Sequence, residues 1–256
     1  MKKIKLFFTC ILVFLILINS IYSQNFQLEE KCISPCVKVI SYSSKSLGSG
    51  VIVKSHLMKD KKYSNIALSC YHVTNGKNIL IEVCNEKCSK YYATAIFENE
   101  KYDFSIIQFY SNEKQKIAEI DLNSKLFIGD DLISVGFGLS ETPKVGWGKV
   151  TTNSQIEDSF KGNYFTNIPL VMGDSGGPIY RNNKLVALSQ AIRVLKWQNN
   201  FVPVPSVSVV LPLMKITEIN KEQNNKLDFI LNPNASPPMF PHLILQMQEF
   251  DGIYLK

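Results

Sequence analysis

The sequence predicts an all-β protein built from two six-stranded antiparallel β-barrels, with a short helix towards its C-terminus. Two sets of short runs rich in β-branched and aromatic residues follow one another at regular spacing, separated by Gly, Asn, Ser and Lys. Such regular short strands are typical of antiparallel barrels rather than of a parallel sheet. Apolar residues at helical spacing are nearly absent before Leu213, Ile216 and Ile219, which would share one helix face.

Six strands are predicted in each half of the chain. In the first half they span residues 37–42, 50–54, 66–71, 78–83, 91–97 and 104–110. In the second half they span residues 131–137, 145–151, 164–168, 178–181, 185–192 and 201–210. The polar segment 111–125 lacks strand alternation and is the natural crossing between the barrels. We therefore place one barrel in residues 24–115, the other with the late helix in 116–225, and a Pro-rich extension in 226–256.

The N-terminal segment has the three-part layout of a secretory signal peptide. Lys2, Lys3 and Lys5 form a basic start, an almost unbroken apolar run spans residues 6–18, and a polar stretch ends at Ser23. The apolar run is shorter than the ~20 residues that span a bilayer, which favours cleavage over a retained anchor. We expect residues 1–23 to be removed and the mature chain to be secreted or periplasmic, without stable membrane insertion.

The composition is that of an ordinary globular protein. Apolar residues make up 45% and charged residues 20% of the chain, which argues against disorder. The net charge of +6 includes three lysines of the signal segment, so the mature chain carries only +3. The densest basic cluster left, Lys59, Lys61 and Lys62, is interrupted by Asp60. These charges do not indicate nucleic acid as a partner.

Five cysteines remain after the signal segment, four of them in two closely spaced pairs. Short paired spacings are also typical of structural zinc sites, so a zinc protein is an alternative. Export to an oxidising compartment favours disulfides instead, and Cys84 and Cys88 fall on either side of a predicted hairpin loop. We expect two local disulfides, Cys32–Cys36 and Cys84–Cys88, and no metal. Cys70 is expected to be a small buried apolar residue.

Residues 173–178 read Gly-Asp-Ser-Gly-Gly-Pro and lie between two apolar runs. Glycine allows backbone conformations closed to other residues and lets a second molecule approach the backbone closely. This turn would hold Ser175 at a surface, with bare backbone N–H groups beside it. A serine is a poor nucleophile at neutral pH and needs a neighbouring base.

Three histidines could supply that base: His56, His72 and His242. His56 lies in a lysine-rich loop and His242 in the Pro-rich tail. His72 ends the apolar run at 66–71, so it would stand at the edge of a barrel, where it can face a cleft. By itself His72 could equally be a core histidine with its hydrogen bonds satisfied.

An imidazole that acts as a base needs a carboxylate to fix its tautomer. Asp103 directly precedes the apolar strand predicted at 104–110, so it would stand at the mouth of that strand. Asp130 and Asp131 are adjacent and indicate a hairpin turn, and Asp121 lies in the crossing segment. Asp103 is therefore the better candidate.

The motifs around these residues resemble those of trypsin-like serine proteases. Residues 173–178 match the nucleophile motif of that family, Leu-Ser-Cys-Tyr-His-Val at 68–73 resembles its histidine motif, and Asp-Phe-Ser-Ile-Ile at 103–107 resembles its aspartate segment. The chain order His, Asp, Ser is that of the chymotrypsin fold. Gly-Ser-Gly at 48–50 and the segment 128–136 resemble the protease domain of the bacterial Deg (high-temperature-requirement) group. The resemblance covers roughly residues 36–215.

The resemblance implies roles for individual residues. Ser175 would be the nucleophile, His72 the general base and then acid, and Asp103 its orienting partner. The backbone N–H groups of Gly173 and Ser175 would form the oxyanion hole. The strand that follows the nucleophile would pair with an extended substrate through Ser189, Gln190 and Ala191. Proteins or peptides would be the substrates, and no cofactor is implied.

The chain departs from the family pattern where trypsins hold a basic substrate side chain. Trypsins carry an aspartate six residues before the nucleophile, and Pro169 stands there in this chain, followed by Leu170. A basic side chain would be buried without a partner, so we expect cleavage after apolar residues. Asp174 cannot be given its trypsin role, since no activation site of the trypsin kind is found near the mature start.

The sequence thus predicts an exported serine endopeptidase that works through an acyl-enzyme. Deg proteins usually carry peptide-binding domains, and we expect none after this protease domain. The main alternative is a catalytically inactive relative on the same fold that acts as a binding or adhesion protein. All three residues of the expected triad and the glycine turn are present, which favours the enzyme.

Overall fold

A computed structural model describes residues 28–76, 78–85, 87–139, 142–153, 162–197 and 200–232, together with residues 11, 13, 14 and 235. The signal peptide predicted at 1–23 and most of the predicted extension lie outside the described residues. Among the helices that are described, none is long and apolar enough to cross a membrane.

The first half of the chain forms a closed antiparallel barrel. Its strands are β1 (Cys36–Ser41), β2 (Ser46–Leu57), β3 (Tyr63–Ser69), β4 (Ile79–Cys84), β5 (Cys88–Asn99) and β6 (Phe104–Ser111). The order around the barrel is β1-β2-β3-β6-β5-β4, and pairing of β1 with β4 closes it.

The second half forms another closed barrel of six strands. They are β7 (Asp131–Gly136), β8 (Lys144–Asn153), β9 (Tyr164–Thr166), β10 (Pro178–Arg181), β11 (Lys184–Trp197) and β12 (Asn200–Pro212). The order is β10-β11-β12-β9-β8-β7, closed by pairing of β10 with β7. The predicted fold class, two six-stranded barrels, is confirmed.

Each barrel has its own apolar interior, and a third cluster joins the two barrels to the late helix. The first interior contains Val37, Val39, Ile52, Ile81, Ile107 and Phe109. The second contains Leu132, Val150, Ile179, Val186 and Val210. The joining cluster combines residues of both barrels and the helix, among them Val51, Leu68, Phe104, Val135, Phe137, Leu188, Ile216 and Ile219. Burial of this shared apolar surface fixes one barrel against the other.

From residue 29 onwards, the described part of the chain has four helical segments: the π-helical turn α1 (Glu29–Ile33), then α2 (Tyr71–Thr74), α3 (Met214–Glu222) and α4 (Asp228–Leu231). Helix α3 is the predicted late helix, and Ile216 and Ile219 on its inner face are buried. Helix α2 replaces the end of the strand predicted at 66–71. The N–H groups of Val73 and Thr74 turn back to the carbonyl of Cys70, so the sheet ends before His72.

The start of the predicted extension packs against the first barrel. Lys54 Nζ on β2 donates hydrogen bonds to the carbonyl oxygens of Phe229, Asn232 and Ala235, which follow or lie in α4. A cation at the C-terminal end of a helix also interacts favourably with the helix dipole. Partial burial lowers the pKa of Lys54.

The cysteines correct one of the two predicted disulfides. Cys84 and Cys88 face each other across the β4–β5 hairpin and are bonded. Cys32 and Cys36 are separate buried thiols, so the expected Cys32–Cys36 disulfide is wrong. Their sulfur atoms point to different partners: that of Cys32 lies 3.8 Å from Asn183 Oδ1, and that of Cys36 lies 3.6 Å from the carbonyl of Val135.

Burial is expected to make these two thiols unreactive. It raises the pKa of Cys32 to about 11 and raises that of Cys36 further. The thiolate is the form that binds metals, so both remain poor ligands. The Cys84–Cys88 disulfide consumes the other two sulfur atoms that the zinc alternative needs.

Candidate active site

His72 and Asp103 form a hydrogen-bonded pair on the first barrel. His72 Nδ1 lies 2.8 Å from Asp103 Oδ2 and 2.9 Å from Oδ1, and the backbone N–H of His72 donates to Oδ1 at 2.9 Å. The short helix α2 presents His72, and Asp103 ends the turn between β5 and β6 with a φ of 52°. Aspartate tolerates this left-handed conformation better than most residues. The carboxylate therefore fixes both the position of His72 and the orientation of its ring.

The other candidate acids have different partners. Asp130 pairs with Arg181 and accepts a hydrogen bond from the N–H of Phe127. Asp131 forms an exposed ion pair with Lys149. The preference for Asp103 as the partner of His72 agrees with this arrangement.

Ser175 lies in a tight turn that leads into β10. Gly173 and Gly176 have φ values of 96° and 83°, in the region that favours glycine. The N–H of Asp174 donates to the carbonyl of Val171 at 3.1 Å, and the N–H of Gly177 donates to the carbonyl of Asp174 at 2.9 Å. A Cβ atom on Gly176 would lie 2.3 Å from the carbonyl oxygen of Ser49, so no side chain fits there.

Within the described residues, three backbone N–H groups of this turn lack acceptors: that of the exposed Met172, and those of Gly173 and Ser175. Within the described residues, neither Gly173 N–H nor Ser175 N–H donates a hydrogen bond, whereas the N–H groups of Asp174, Gly176 and Gly177 all do. Buried N–H groups without a partner are uncommon in folded proteins, and Gly173 is buried. Those of Gly173 and Ser175 are the two that the sequence predicted as an oxyanion hole.

The structure brings Ser175 to the barrel that carries His72 but forms no hydrogen bond between them. Ser49 on β2 donates its N–H to the carbonyl of Ser175 at 2.8 Å. The hydroxyl of Ser175 donates to the carbonyl of Gln190 at 3.4 Å, and within the described residues no hydrogen bond joins Ser175 to His72. Catalytic hydrogen bonds are often long without substrate and shorten when it binds.

The predicted substrate strand borders the turn of Ser175. Gly176 N–H donates to Ser189 O at 2.7 Å, and Ser189 N–H donates to Gly177 O at 2.8 Å. Gln190 is an extra residue in β11, because the pairing of β11 with β12 shifts between Ser189 and Ala191. Its side-chain amide accepts from Asn163 and donates to the carbonyl of Tyr102, so Gln190 is held on both sides.

One edge of β11 is open beyond these bonds. Strand β10 pairs with β11 only as far as Leu188. In the described part of the chain, no strand covers that edge at Ala191. Pro169 is exposed and Leu170 is half-buried, and Leu170 packs against the interior of the second barrel. Of the residues predicted to bind substrate, Ser189 and Gln190 thus contact the turn of Ser175, and Ala191 follows them on the open edge.

The sequence did not reveal the partners of Asp174. Its carboxylate is buried and accepts hydrogen bonds from the N–H groups of Gly138 and Val171, each at 2.8 Å. A Cβ atom on Gly136 or Gly138 would lie 2.5 Å from Asp174 Oδ1. The two glycines near the end of β7 were the only sequence signal of this close approach.

A metal fits this site poorly. Cys70, His72 and Asp103 each offer a ligand atom, and these atoms lie within 4.8 Å of one another. However, Asp103 and His72 already bind each other, and burial, followed by the charge of Asp103, raises the pKa of Cys70. A protonated thiol is a poor metal ligand.

Comparison with known proteins assigns the family. Residues 48–188 match the trypsin-like peptidase domain, and two closed barrels with the His–Asp pair and the glycine turn agree with that class. The chain belongs to the family of trypsin-like peptidase domains. The matched range includes His72, Asp103 and Ser175.

The fold is also similar to that of a bacterial enzyme. The crystal structure of the serine endoprotease from Yersinia pestis matches with a TM-score of 0.60 and 18% sequence identity, over 78% of this chain and 66% of that chain. The match thus covers just under two thirds of that endoprotease, and at this identity it supports the fold alone. No curated protein sequence matches significantly.

Proposed function

We propose that the protein is a serine endopeptidase in which Ser175, His72 and Asp103 act as a catalytic triad. The observation that carries the proposal is the pair of free N–H groups at Gly173 and Ser175, beside a histidine whose ring is fixed by a carboxylate. These are the two parts that acyl transfer requires: a base with a defined tautomer and donors for the developing negative charge.

The first half of the reaction forms an acyl-enzyme. The hydroxyl of Ser175 turns from the carbonyl of Gln190 towards His72 Nε2, which takes its proton as Oγ attacks the substrate carbonyl carbon. Asp103 stabilises the imidazolium that results. The carbonyl oxygen becomes an oxyanion and accepts hydrogen bonds from the N–H groups of Gly173 and Ser175. The C–N bond then breaks, and the proton on His72 goes to the leaving amine.

The second half releases the acyl group. Water enters where the amine has left, gives a proton to His72, and attacks the ester carbon of the acyl-enzyme. The second tetrahedral intermediate uses the same two N–H donors. It collapses with release of the carboxylic acid product, and His72 returns its proton to Ser175. Peptide and water are the only reactants, and the enzyme ends in the protonation state in which it began.

A fluorophosphonate probe tests the proposed nucleophile. Ser175 Oγ should displace fluoride from the probe and become covalently labelled, and Ser175→Ala should abolish the label. Ser44→Ala is the matched control, because Ser44 is an exposed serine elsewhere on the first barrel and should leave labelling unchanged. A folded wild-type protein that takes no label would refute the enzyme and favour the inactive binding relative.

We further propose that the enzyme cleaves after apolar residues. Pro169 stands at the sequence position where trypsins carry an acid, and it is flanked by the apolar residues Ile168 and Leu170. Extended substrate would add to the open edge of β11 at Ala191. A peptide-library profile should therefore be dominated by apolar residues before the cleaved bond. A profile led by Lys, Arg, Asp or Glu at that position would contradict this specificity.

Export is proposed from the N-terminal segment, since its basic, apolar and polar parts follow the order of a signal peptide. The Cys84–Cys88 disulfide supports an oxidising compartment. N-terminal sequencing of the exported protein should find a chain that starts at Gln24. An exported protein that retains residues 1–23 would contradict cleavage.

A further inference from the structure

The Gly-Ser-Gly motif at 48–50 takes no part in the proposed acyl transfer. It lies on β2, in the barrel that does not carry Ser175. We propose that Ser49 is a positioning residue that fixes the turn carrying the oxyanion hole from across the junction of the barrels. This inference rests on the proposed function, because it concerns the same two N–H groups.

Ser49 holds both residues of the proposed oxyanion hole. Its hydroxyl donates to the carbonyl of Gly173 at 2.7 Å, and its backbone N–H donates to the carbonyl of Ser175 at 2.8 Å. These two bonds fix the peptide planes on either side of the one between Asp174 and Ser175, and the carbonyl of that middle peptide accepts a hydrogen bond from the N–H of Gly177 at 2.9 Å. The N–H of Ser175 therefore keeps its direction.

The same hydroxyl also accepts a hydrogen bond. Phe137 N–H, directly after β7, donates to Ser49 Oγ at 2.9 Å. The next N–H, that of Gly138, donates to the carboxylate of Asp174 at 2.8 Å. Ser49 thus connects β2, the end of β7 and the turn through one side chain. A hydroxyl is a small group that can donate and accept at once, which alanine cannot do.

Burial makes these bonds difficult to replace. Ser49 is 0% exposed, so water does not substitute for a lost hydroxyl at the surface. The flanking glycine permits the close approach: a Cβ atom on Gly48 would lie 2.9 Å from the carbonyl of Ser175 and within 2.6 Å of the side chain of Val73. In this motif, Gly48 therefore allows β2 to approach the turn of Ser175 closely, and Ser49 makes the hydrogen bonds to that turn.

Ser49→Ala should lower kcat by about 10- to 100-fold with little change in KM. Loss of one oxyanion donor costs about 10²–10³-fold in kcat, and misplacing a donor without removing it should cost less. Ser64→Ala is the matched control. Ser64 is a buried hydroxyl on the neighbouring strand β3 that accepts a hydrogen bond from Gln108 at 2.8 Å, and in the described residues it makes no hydrogen bond to the turn. Denaturant unfolding first gives the folded fraction of each variant, and kcat and KM are then compared per folded molecule.

The affinity for a peptide boronate distinguishes a misplaced oxyanion hole from a general loss of stability, because the latter would not change this affinity in the folded protein. The tetrahedral adduct of the boronate on Ser175 places an oxygen on the two N–H groups, so Ser49→Ala should bind it about tenfold or more weakly. Binding of an uncleaved peptide in the Ser175→Ala background should not change when Ser49→Ala is added. If Ser49→Ala and Ser64→Ala have equal kcat and boronate affinity, the inference fails while the endopeptidase stands. If the folded wild type neither turns over substrate nor labels, both fail.

If Ser49→Ala does not fold, two more conservative variants can test the role of the hydroxyl instead. Ser49→Thr retains a hydroxyl, and Ser49→Cys offers only a weak donor and acceptor. We expect the threonine variant to have the higher kcat and the higher boronate affinity, in the order of hydrogen-bonding strength. Equal values for the two folded variants would overturn the role of the hydroxyl.

Discussion

Replacing Ser175 or His72 with alanine should each lower kcat by about 10⁶-fold, and replacing both should lower it little further. The reason is that the two side chains act as one unit: the hydroxyl attacks only as the imidazole takes its proton. The N–H groups of Gly173 and Ser175 belong to the backbone and persist in all three variants. A residual acceleration of about 10³–10⁴ over the reaction in water should therefore remain.

Single-turnover hydrolysis of a peptide found in the library screen measures these losses. Ser44→Ala serves again as the control for a serine without a role. Additive losses in the double variant would show that Ser175 and His72 do not act on the same step. A Ser175→Ala variant with wild-type turnover would place the nucleophile elsewhere.

The fold could be predicted because barrel strands have a local signature. Strand β6 (Phe104–Ser111) is buried along its whole length, and its apolar run predicted its extent to within one residue. Strand β11 was predicted to end at residue 192, yet it continues to Trp197 because β12 pairs with it that far. The length of that pairing depends on the partner strand β12, so it cannot be predicted from the residues of β11 alone.

In the candidate site, too, local features could be predicted from the sequence and contacts between distant segments could not. His72, Asp103 and Ser175 each stand in a short motif whose residue order is local, so the sequence alone was enough to propose all three. The bonds that hold the turn join distant segments: Gly138 and Asp174 are 36 positions apart, and Ser49 and Gly173 are 124 apart. Only the packing of one barrel against the other brings such residues together. For the same reason the direction of the Cys32 and Cys36 side chains could not be read from their spacing.

Asp103→Asn should lower kcat by about 10⁴-fold without a comparable change in KM. The carboxylate of Asp103 accepts from the backbone N–H of His72 and from Nδ1 at once. Asparagine has a single acceptor oxygen, and its amide group would donate to Nδ1. The imidazole would then carry its proton on Nε2 and could not take one from Ser175.

Asp131→Asn is the matched control for this change, because Asp131 is an exposed carboxylate that pairs with Lys149. It should leave kcat near the wild-type value. The rate of fluorophosphonate labelling should fall with kcat in Asp103→Asn, since both need the same proton transfer from Ser175. Wild-type labelling in that variant would mean that His72 keeps its reactive tautomer without Asp103. The hydrogen bond from the backbone N–H of His72 would then be structural, and the orientation of the ring would have to come from helix α2 alone.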